Sequence, residues 1–361
     1  MPSSKKVITI LGNRPQFIKA AAVSKHLLQH GIEEVIINTG QHFDYLMSDV
    51  FIDELDLKKP SYNLGINRCS EIELIAKVMI KLEEIFLTEK PNMVLVYGDT
   101  NSTLAAALVA SKLHIPLAHV EAGPRLGDKS IPEEYNRILV DHSANILFAP
   151  DRTSVNNLKK EGITEQSVIF SGDVMCDVFL NNQETLNASN TQPSPNDYVL
   201  LTLHRQHNVD EEQSLQNIIN LLETVKEDIY FPIHPRTLKN FEKFGFLSKI
   251  NKEKIKISDP LPYKELMHLL LNAKGVITDS GGFQKEAFFA KKPCYVLLDV
   301  TPWPEIEETG WQKVIGSGHT LTIKNIDFDH DFKNVPEIDL GIFGNGQAGS
   351  IVAQTISKFI G

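Results

Sequence analysis

Cysteine is scarce in this chain. There are three, Cys69, Cys176 and Cys294, far apart and without a C-x-x-C pair. That excludes a disulfide framework, offers no zinc-site spacing and fits a reducing compartment. Long apolar runs are also missing: no stretch reaches the roughly 18 residues that a membrane-spanning helix requires. Met1–Lys6 carries no apolar run of signal-peptide length, so a cytoplasmic location is expected. Positive charge is in deficit, with 36 Lys and Arg against 46 Asp and Glu, a net charge of −10. A nonspecific grip on nucleic acid or anionic lipid needs a basic face, so neither partner is expected. A local cationic pocket for a phosphorylated ligand remains open. No G-x-S-x-G nucleophile elbow is present, and no metal or cofactor is expected.

What is there is a regular alternation. Short apolar runs at Lys6–Leu11, Glu34–Asn38, Met93–Tyr97, Leu117–Val120, Asn145–Phe148 and Val168–Ser171 predict strands. Phe17–Leu28, preceded by Pro15 in a first-turn position, predicts a helix, as do Ile72–Leu87, Ser102–Leu113 and Glu133–His142. Asn181–Asp197 is rich in Asn, Thr, Ser, Gln and Pro and reads as the end of an interdomain helix followed by a polar linker. The alternation then restarts. Strands are predicted at Val199–Leu203, Ile229–Ile233, Ile255–Ile257, Gly275–Thr278 and Tyr295–Leu298, with helices at Leu215–Val225, Tyr263–Leu271 and Gln284–Phe289. Continuous apolar strands between helices indicate parallel sheets covered on both faces. The expected organisation is an α/β protein with two doubly wound domains, 1–180 and 198–345, joined by a linker at 181–197. A C-terminal helix within 346–361 is expected to pack back on the first domain. Two such halves leave one place for a ligand, a cleft facing the carboxyl ends of both sheets.

Five segments fall at those strand ends. Gly12-Asn13-Arg14-Pro15-Gln16-Phe17-Ile18-Lys19 follows the first strand; Gly12 permits a tight turn, and Arg14 with the helix N-terminus suits an anion. Tyr97-Gly98-Asp99-Thr100 places Asp99 where it can cap a helix or serve as a catalytic carboxylate. Val120-Glu121-Ala122-Gly123-Pro124-Arg125 puts Glu121 at another strand end, where a lone carboxylate is costly unless paired or functional. Glu133 opens the next helix, a normal place for an acid, and Arg137 one turn on can pair with it. Several carboxylates near one pocket can divide acid and base roles. In the second half, Leu203-His204-Arg205 offers a phosphate-binding pair. Thr278-Asp279-Ser280-Gly281-Gly282-Phe283-Gln284-Lys285-Glu286 offers free backbone N–H groups and a hydroxyl for a diphosphate, with Glu286 suited to ribose hydroxyls; an ordinary turn capped by Ser280 is the plainer reading. This last segment is neither a G-x-G-x-x-G fingerprint nor a P-loop. His234, after the second strand of this half, has no second ligand at metal spacing and either meets the ligand or is structural.

Taken in order from Ile8 to Glu305, these segments resemble the non-hydrolysing UDP-N-acetylglucosamine 2-epimerase family. The resemblance implies two Rossmann-like domains facing a cleft, the arrangement of GT-B glycosyltransferases. It implies Asp99, Glu121 and Glu133 as catalytic carboxylates, with Arg14 and Lys19 lining the cleft. Arg137, His204, Ser280, Gly281, Gly282 and Glu286 match positions around UDP and the reacting sugar. His204 is placed with the catalytic set, and Arg205 and His234 with the UDP-binding set. Gln41-His42 matches a segment that in some bacterial members helps bind a second UDP-sugar as activator. The expected partner is a UDP-sugar and the expected assembly a homodimer. The reaction implied is elimination of UDP to a 2-acetamidoglycal, then re-addition with the proton delivered to the other face of carbon 2. A hydrolysing epimerase, a GT-B glycosyltransferase and a nucleotide-sugar sensor are the rival readings.

The chain departs from the family pattern at Pro124 (usually Leu), at Leu298 (often Arg) and at Thr301-Pro302-Trp303-Pro304-Glu305, where Thr-Glu-Arg-Pro-Glu is usual. Two cationic contacts near the nucleotide are therefore expected to be missing. Trp303, Asn63-Leu64-Gly65 and Gly310-Trp311 look closer to the subgroup acting on UDP-2,3-diacetamido-glucuronic acid, which points to a modified sugar as substrate.

Overall fold

Unbroken aliphatic runs become strands buried on both faces, as parallel pairing demands. The computed structural model describes residues 5–41, 52, 57–129, 131–187 and 198–361, with 183–187 as backbone only. The chain divides into two compact units: Met1–Asn181 together with Leu340–Gly361, and Asn182–Asp339.

Unit 1 holds strands β1 (Lys6–Leu11), β2 (Glu33–Asn38), β3 (Tyr62–Asn63), β4 (Met93–Tyr97), β5 (Leu117–Val120), β6 (Ile146–Ala149) and β7 (Val168–Phe170). Their spatial order is β3-β2-β1-β4-β5-β6-β7. Ile8 pairs in register with Val35 on one side and with Val94 on the other, both parallel. The chain thus builds outward from β1 in one direction, then returns to build in the other. Unit 2 repeats the plan with β8 (Tyr198–Thr202), β9 (Asp228–Pro232), β10 (Ile255–Ser258), β11 (Gly275–Thr278), β12 (Cys294–Val296) and β13 (Gln312–Val314), in the order β10-β9-β8-β11-β12-β13. Both units are doubly wound and Rossmann-like, as expected. Where the order reverses, between β1 and β4 and between β8 and β11, the loops diverge and leave a crevice at the carboxyl ends of the strands.

Helices cover the sheets for legible reasons. Helix Glu71–Glu89 is capped by Ser70, whose hydroxyl accepts from the Glu73 amide, and buries Leu74, Val78, Leu82, Ile85 and Phe86 at helical spacing. Those residues join Ile8, Ile10, Val94 and Val96 in one core cluster. Among the described residues no helix is long and apolar enough to cross a membrane.

The C-terminal helix Ala348–Phe359 packs on helix Arg14–Gln29 of unit 1. Its first amides, those of Ala348 and Gly349, donate to the two carboxylate oxygens of Asp177 at 3.0 and 2.7 Å. Residues 344–349 match the G-x-G-x-x-G spacing, yet no strand leads into them and a protein carboxylate already occupies the helix N-terminus. The glycines serve close packing instead. Gly344 lies against Gly172, and a Cβ at Gly349 would stand 2.1 Å from the Ala22 carbonyl oxygen. Gly349→Ala should therefore cost about 1–3 kcal/mol through overpacking. The check is the chemical-denaturation midpoint, with Gly282→Ala as the control because nothing lies within 4 Å of a Cβ there. Equal midpoints for the two variants would contradict this docking.

Candidate active site

Unit 1 concentrates polar residues at its order reversal. Gly12 is forced by space: a Cβ there would meet Ser102 Oγ at 2.5 Å and Thr39 Oγ1 at 2.6 Å. Asn13 caps helix Arg14–Gln29, so Arg14 sits in its first turn and Lys19 one turn further in. Gln16, buried in that turn, ties the two diverging loops together. Its Oε1 accepts from the Gly12 amide at 2.7 Å, and its Nε2 donates to Tyr97 O, Thr100 Oγ1 and Thr103 Oγ1 at 2.7, 3.0 and 2.9 Å. No sequence signal marks Gln16 for this bridging role.

Three ion pairs, built on two cations, stand on this frame. Lys19 Nζ lies 2.6 Å from Glu121 Oε2, and both side chains are about nine-tenths buried. Glu121 is held at φ +69°, a left-handed conformation that costs a non-glycine residue of order 1–3 kcal/mol. Its amide and that of Ala122 both donate to Phe148 O, at 3.1 and 3.0 Å, which pins the strained turn. Arg137 Nη2 donates to Asp99 Oδ2, and its Nη1 to Glu134 Oε2 at 3.0 Å. Burial opposes the charge on Arg137, but Asp99, Glu121 and Glu134 outweigh it and raise its pKa above the ordinary value. Asp99 is a quarter exposed and Arg137 nine-tenths buried. Asn136 fixes the backbone of the same turn, donating to Asp99 O at 2.9 Å.

Glu133 is exposed in the first turn of helix Pro132–Ser143, with no polar partner among the described residues. Its neighbour Glu134, which no sequence signal distinguishes from Glu133, is buried and accepts from the Leu126 and Gly127 amides as well as from Arg137. Gln41 Oε1 accepts from Ser102 Oγ at 2.7 Å. His42 lies outside the described residues.

Unit 2 organises its own reversal around a fully buried carboxylate, Asp279. It accepts from the amides of His204 at 3.0 Å and Arg205 at 2.8 Å, and from Asn208 Nδ2 at 3.1 Å. His204 Nδ1 lies 3.3 Å away. The loop bearing His204 and Arg205 is thus fastened to the loop bearing Ser280. Ser280 Oγ caps helix Gly281–Phe289 by accepting from the Phe283 amide at 3.4 Å, and no atom lies within 4 Å of a Cβ at Gly282. An open helix N-terminus of this kind accepts a phosphate. Glu286 is buried one turn in. His234 Nδ1 accepts from the Arg236 amide, capping helix Pro235–Lys243, and its ring centroid is 5.7 Å from that of His204.

The positions that depart from the family pattern are filled by packing. Trp303 Nε1 donates to Gly281 O at 2.7 Å, and Lys285 Nζ, itself buried, lies 4.0 Å over the Trp303 ring. Leu298 is buried. Arg236 is held by Asp210 in a two-point contact, with Nε–Oδ1 at 2.8 Å. Among the described residues no group of three or more His, Cys, Asp or Glu is arranged to hold a metal ion.

Comparison with known proteins follows the same lines. The family model described as UDP-N-acetylglucosamine 2-epimerase matches residues 25–357. A UDP-N-acetylglucosamine 2-epimerase homolog from Methanococcus maripaludis is 48% identical, over 89% of this chain and 91% of that one. The UDP-2,3-diacetamido-2,3-dideoxy-D-glucuronate 2-epimerase of Pseudomonas aeruginosa is 40% identical over 98% and 99% of the two chains. The crystal structure of Methanocaldococcus jannaschii UDP-GlcNAc 2-epimerase in complex with UDP-GlcNAc and UDP superposes with a TM-score of 0.87 at 38% identity, covering 98% of this chain and 99% of that one.

The histidines of unit 2 set a pH dependence. Burial lowers the His204 pKa below its ordinary 6.5, and Arg205 and Arg236 push the same way against Asp279. Burial, His204 and Arg236 lower that of His234. Because both folded values lie below the unfolded ones, the unfolded chain takes up protons first on acidification. Their stabilising contribution is whole above the unfolded value and is lost as pH falls through the folded values. Unfolding free energy should therefore decline between about pH 7 and about pH 5, and the slope should flatten in a His204→Gln/His234→Gln double variant. An identical slope in the double variant would refute the assignment.

Proposed function

The chain belongs to the UDP-N-acetylglucosamine 2-epimerase family and is a UDP-sugar 2-epimerase, an isomerase; we propose that it inverts carbon 2 by eliminating and re-adding UDP, with Asp99 and Glu121 as proton-handling groups. The observation that supports this reading is their placement: two carboxylates on separate strand-end loops of unit 1, each beside its own buried cation. Carbon 2 has no neighbouring carbonyl, so its proton is only weakly acidic. Departure of UDP from carbon 1 builds oxocarbenium character, and the carbon 2 proton then becomes removable. The C1–O bond breaks with its electron pair leaving on UDP, a carboxylate takes the proton, and a C1=C2 double bond forms. In the return step UDP oxygen re-bonds to carbon 1 while a proton arrives at the opposite face of carbon 2. Two proton-transfer groups are what this requires.

Ser280, the amides of Gly281 and Gly282, His204, Arg205 and His234 are assigned to the diphosphate, whose negative charge grows as it leaves. Glu286 is assigned to the ribose. Arg14, Lys19 and Arg137 are assigned to the sugar and the departing group, and Glu133 and Gln41 are retained as further candidates near the sugar and at an activator site. The enzyme is read as a cytoplasmic homodimer. In D2O with UDP-GlcNAc, NMR should show deuterium entering carbon 2 as the epimer forms, without net release of UDP. Steady UDP release would instead support the hydrolysing reading. Asp99→Asn and Glu121→Gln should each lower turnover by about 10²–10⁴-fold with an unchanged circular dichroism spectrum. Near-normal turnover in both would remove the mechanism.

Trp303 and Leu298 favour a second reading, that the preferred sugar is a modified one such as the 2,3-diacetamido uronic acid. Trp303 closes over Gly281 in place of the family's usual Arg, and Asp210 already holds Arg236, the cation that would otherwise compensate. The kcat/KM for the diacetamido uronic acid derivative should exceed that for UDP-GlcNAc. The reverse order would sink this reading and leave the epimerase assignment standing.

A further inference from the structure

Strand β5 carries a histidine that no step above uses. The side chains of His119 and Asp141 are both fully buried, with no exposed surface. His119 Nδ1 lies 2.7 Å from Asp141 Oδ1, and Nε2 lies 2.7 Å from the carbonyl oxygen of Gly98. Both neighbours are acceptors. A neutral imidazole has one N–H and one lone pair, so here its lone pair would face an oxygen lone pair at hydrogen-bond distance. A protonated Asp141 would relieve that clash, but Asp141 is otherwise engaged as an anion. Its Oδ2 accepts from the Gly123 amide at 3.1 Å and lies 2.8 Å from Arg125 Nη1. Burial raises its pKa, yet His119 and Arg125 more than offset that and hold the carboxyl below its usual range. Arg125 in turn makes a two-point contact with Glu161, at 2.7 Å for each nitrogen. Charges of alternating sign, His119, Asp141, Arg125 and Glu161, make a buried imidazolium tolerable.

The ring's second proton has a specific use. Gly98 sits at φ +61°, and the peptide groups on both its sides are gripped: its N–H donates to Val120 O at 2.9 Å, and its carbonyl accepts from His119. The next residue is Asp99. On the other side, Lys19 Nζ would lie 3.4 Å from a Cβ at Gly98 and is held by Glu121. Three consecutive residues of one strand end, His119, Val120 and Glu121, therefore gauge the turn that carries Asp99.

We propose that His119 is held as the imidazolium and acts as a positioning residue, its two N–H groups locking the Gly98 carbonyl against Asp141 so that Asp99 faces Arg137 in a fixed pose. This rests on the reading of Asp99 as a reacting carboxylate. Long-range 1H–15N correlation of the histidine-labelled protein reads the ring directly, with the signals assigned by their loss in His119→Gln. Both His119 nitrogens should carry protons at neutral pH, one for each acceptor. One unprotonated nitrogen under those conditions overturns the proposal. His119→Gln keeps a donor for Gly98 without the charge, and His119→Phe keeps neither. With the UDP-sugar as substrate, kcat should fall about 10-fold in the first and about 100-fold in the second, with KM within about threefold. Wild-type kcat in folded His119→Phe beside an inactive Asp99→Asn sinks the positioning role alone. Normal turnover in Asp99→Asn removes the reading of Asp99 and the proposal with it. Should His119→Phe fail to fold, the ring protonation of the unaltered protein and the His119→Gln kcat decide.

Discussion

The parallel pairing of β1 with β4, through Val7–Met93, Ile8–Val94 and Thr9–Leu95, is the constraint on which the rest of unit 1 depends. The two strands are adjacent in space but far apart in sequence. Their following loops turn to opposite sides, and a buried amide side chain, Gln16, fills the gap. Everything with chemistry in this unit is hung from loops fixed relative to that seam. The same arrangement recurs at β8 and β11, where a carboxylate, Asp279, does the joining. One fold thus solves one problem twice with different polar groups: an amide, which both donates and accepts, where the loops offer both kinds of partner, and an anion where they offer only donors.

Carboxylates around the strand ends, Asp141 reaching there from helix Pro132–Ser143, divide by what they meet. Asp279 and Asp141 are fully buried and surrounded by donors, so their oxygens are consumed by the protein itself. Asp99 keeps a quarter of its surface open and shares its cation with Glu134. Glu121 stands in a strained backbone conformation beside Lys19. Strain and partial exposure are where structural need stops and reactivity becomes possible, because a merely structural acid is cheaper to place relaxed and saturated.

Much of this was legible in the residues. The long aliphatic strands and the amphipathic helices announce themselves because parallel sheets bury both faces and cover each with one apolar stripe. Helices Arg152–Lys160 and Pro235–Lys243 were missed because each buries only two side chains, Ser154 and Leu158 in the first, Thr237 and Phe241 in the second, too few to show a period. Strands β3 and β13, of two and three residues, are edge strands too short to show a period of their own and are defined by pairing with β2 and β12. At the site, strand-end position singled out Asp99, Glu121 and Ser280 as candidates, while their roles and that of Arg137 came from the family resemblance; Arg137 pairs with Asp99 and Glu134 rather than with Glu133. The contacts of Gln16, Glu134, His119 and Asp141 were not legible, because sequence spacing does not reveal their partners. Between Glu133 and Glu134 the choice turns on helix rotation, a matter of about 100° per residue that an opening Pro-Glu-Glu does not fix.

The Asp177 clamp on Ala348 and Gly349 joins groups 171 and 172 positions apart in the chain. Unit 1 is therefore a discontinuous object, interrupted by the whole of unit 2. During synthesis, helix Arg14–Gln29, which carries Lys19, emerges early but lacks its covering helix until the stretch beyond Leu340 has been made. Unit 2 is complete before unit 1 is. The order of maturation runs opposite to the order of translation, and the apolar face of an early helix must wait, exposed to the ribosome's surroundings, for the residues that seal it.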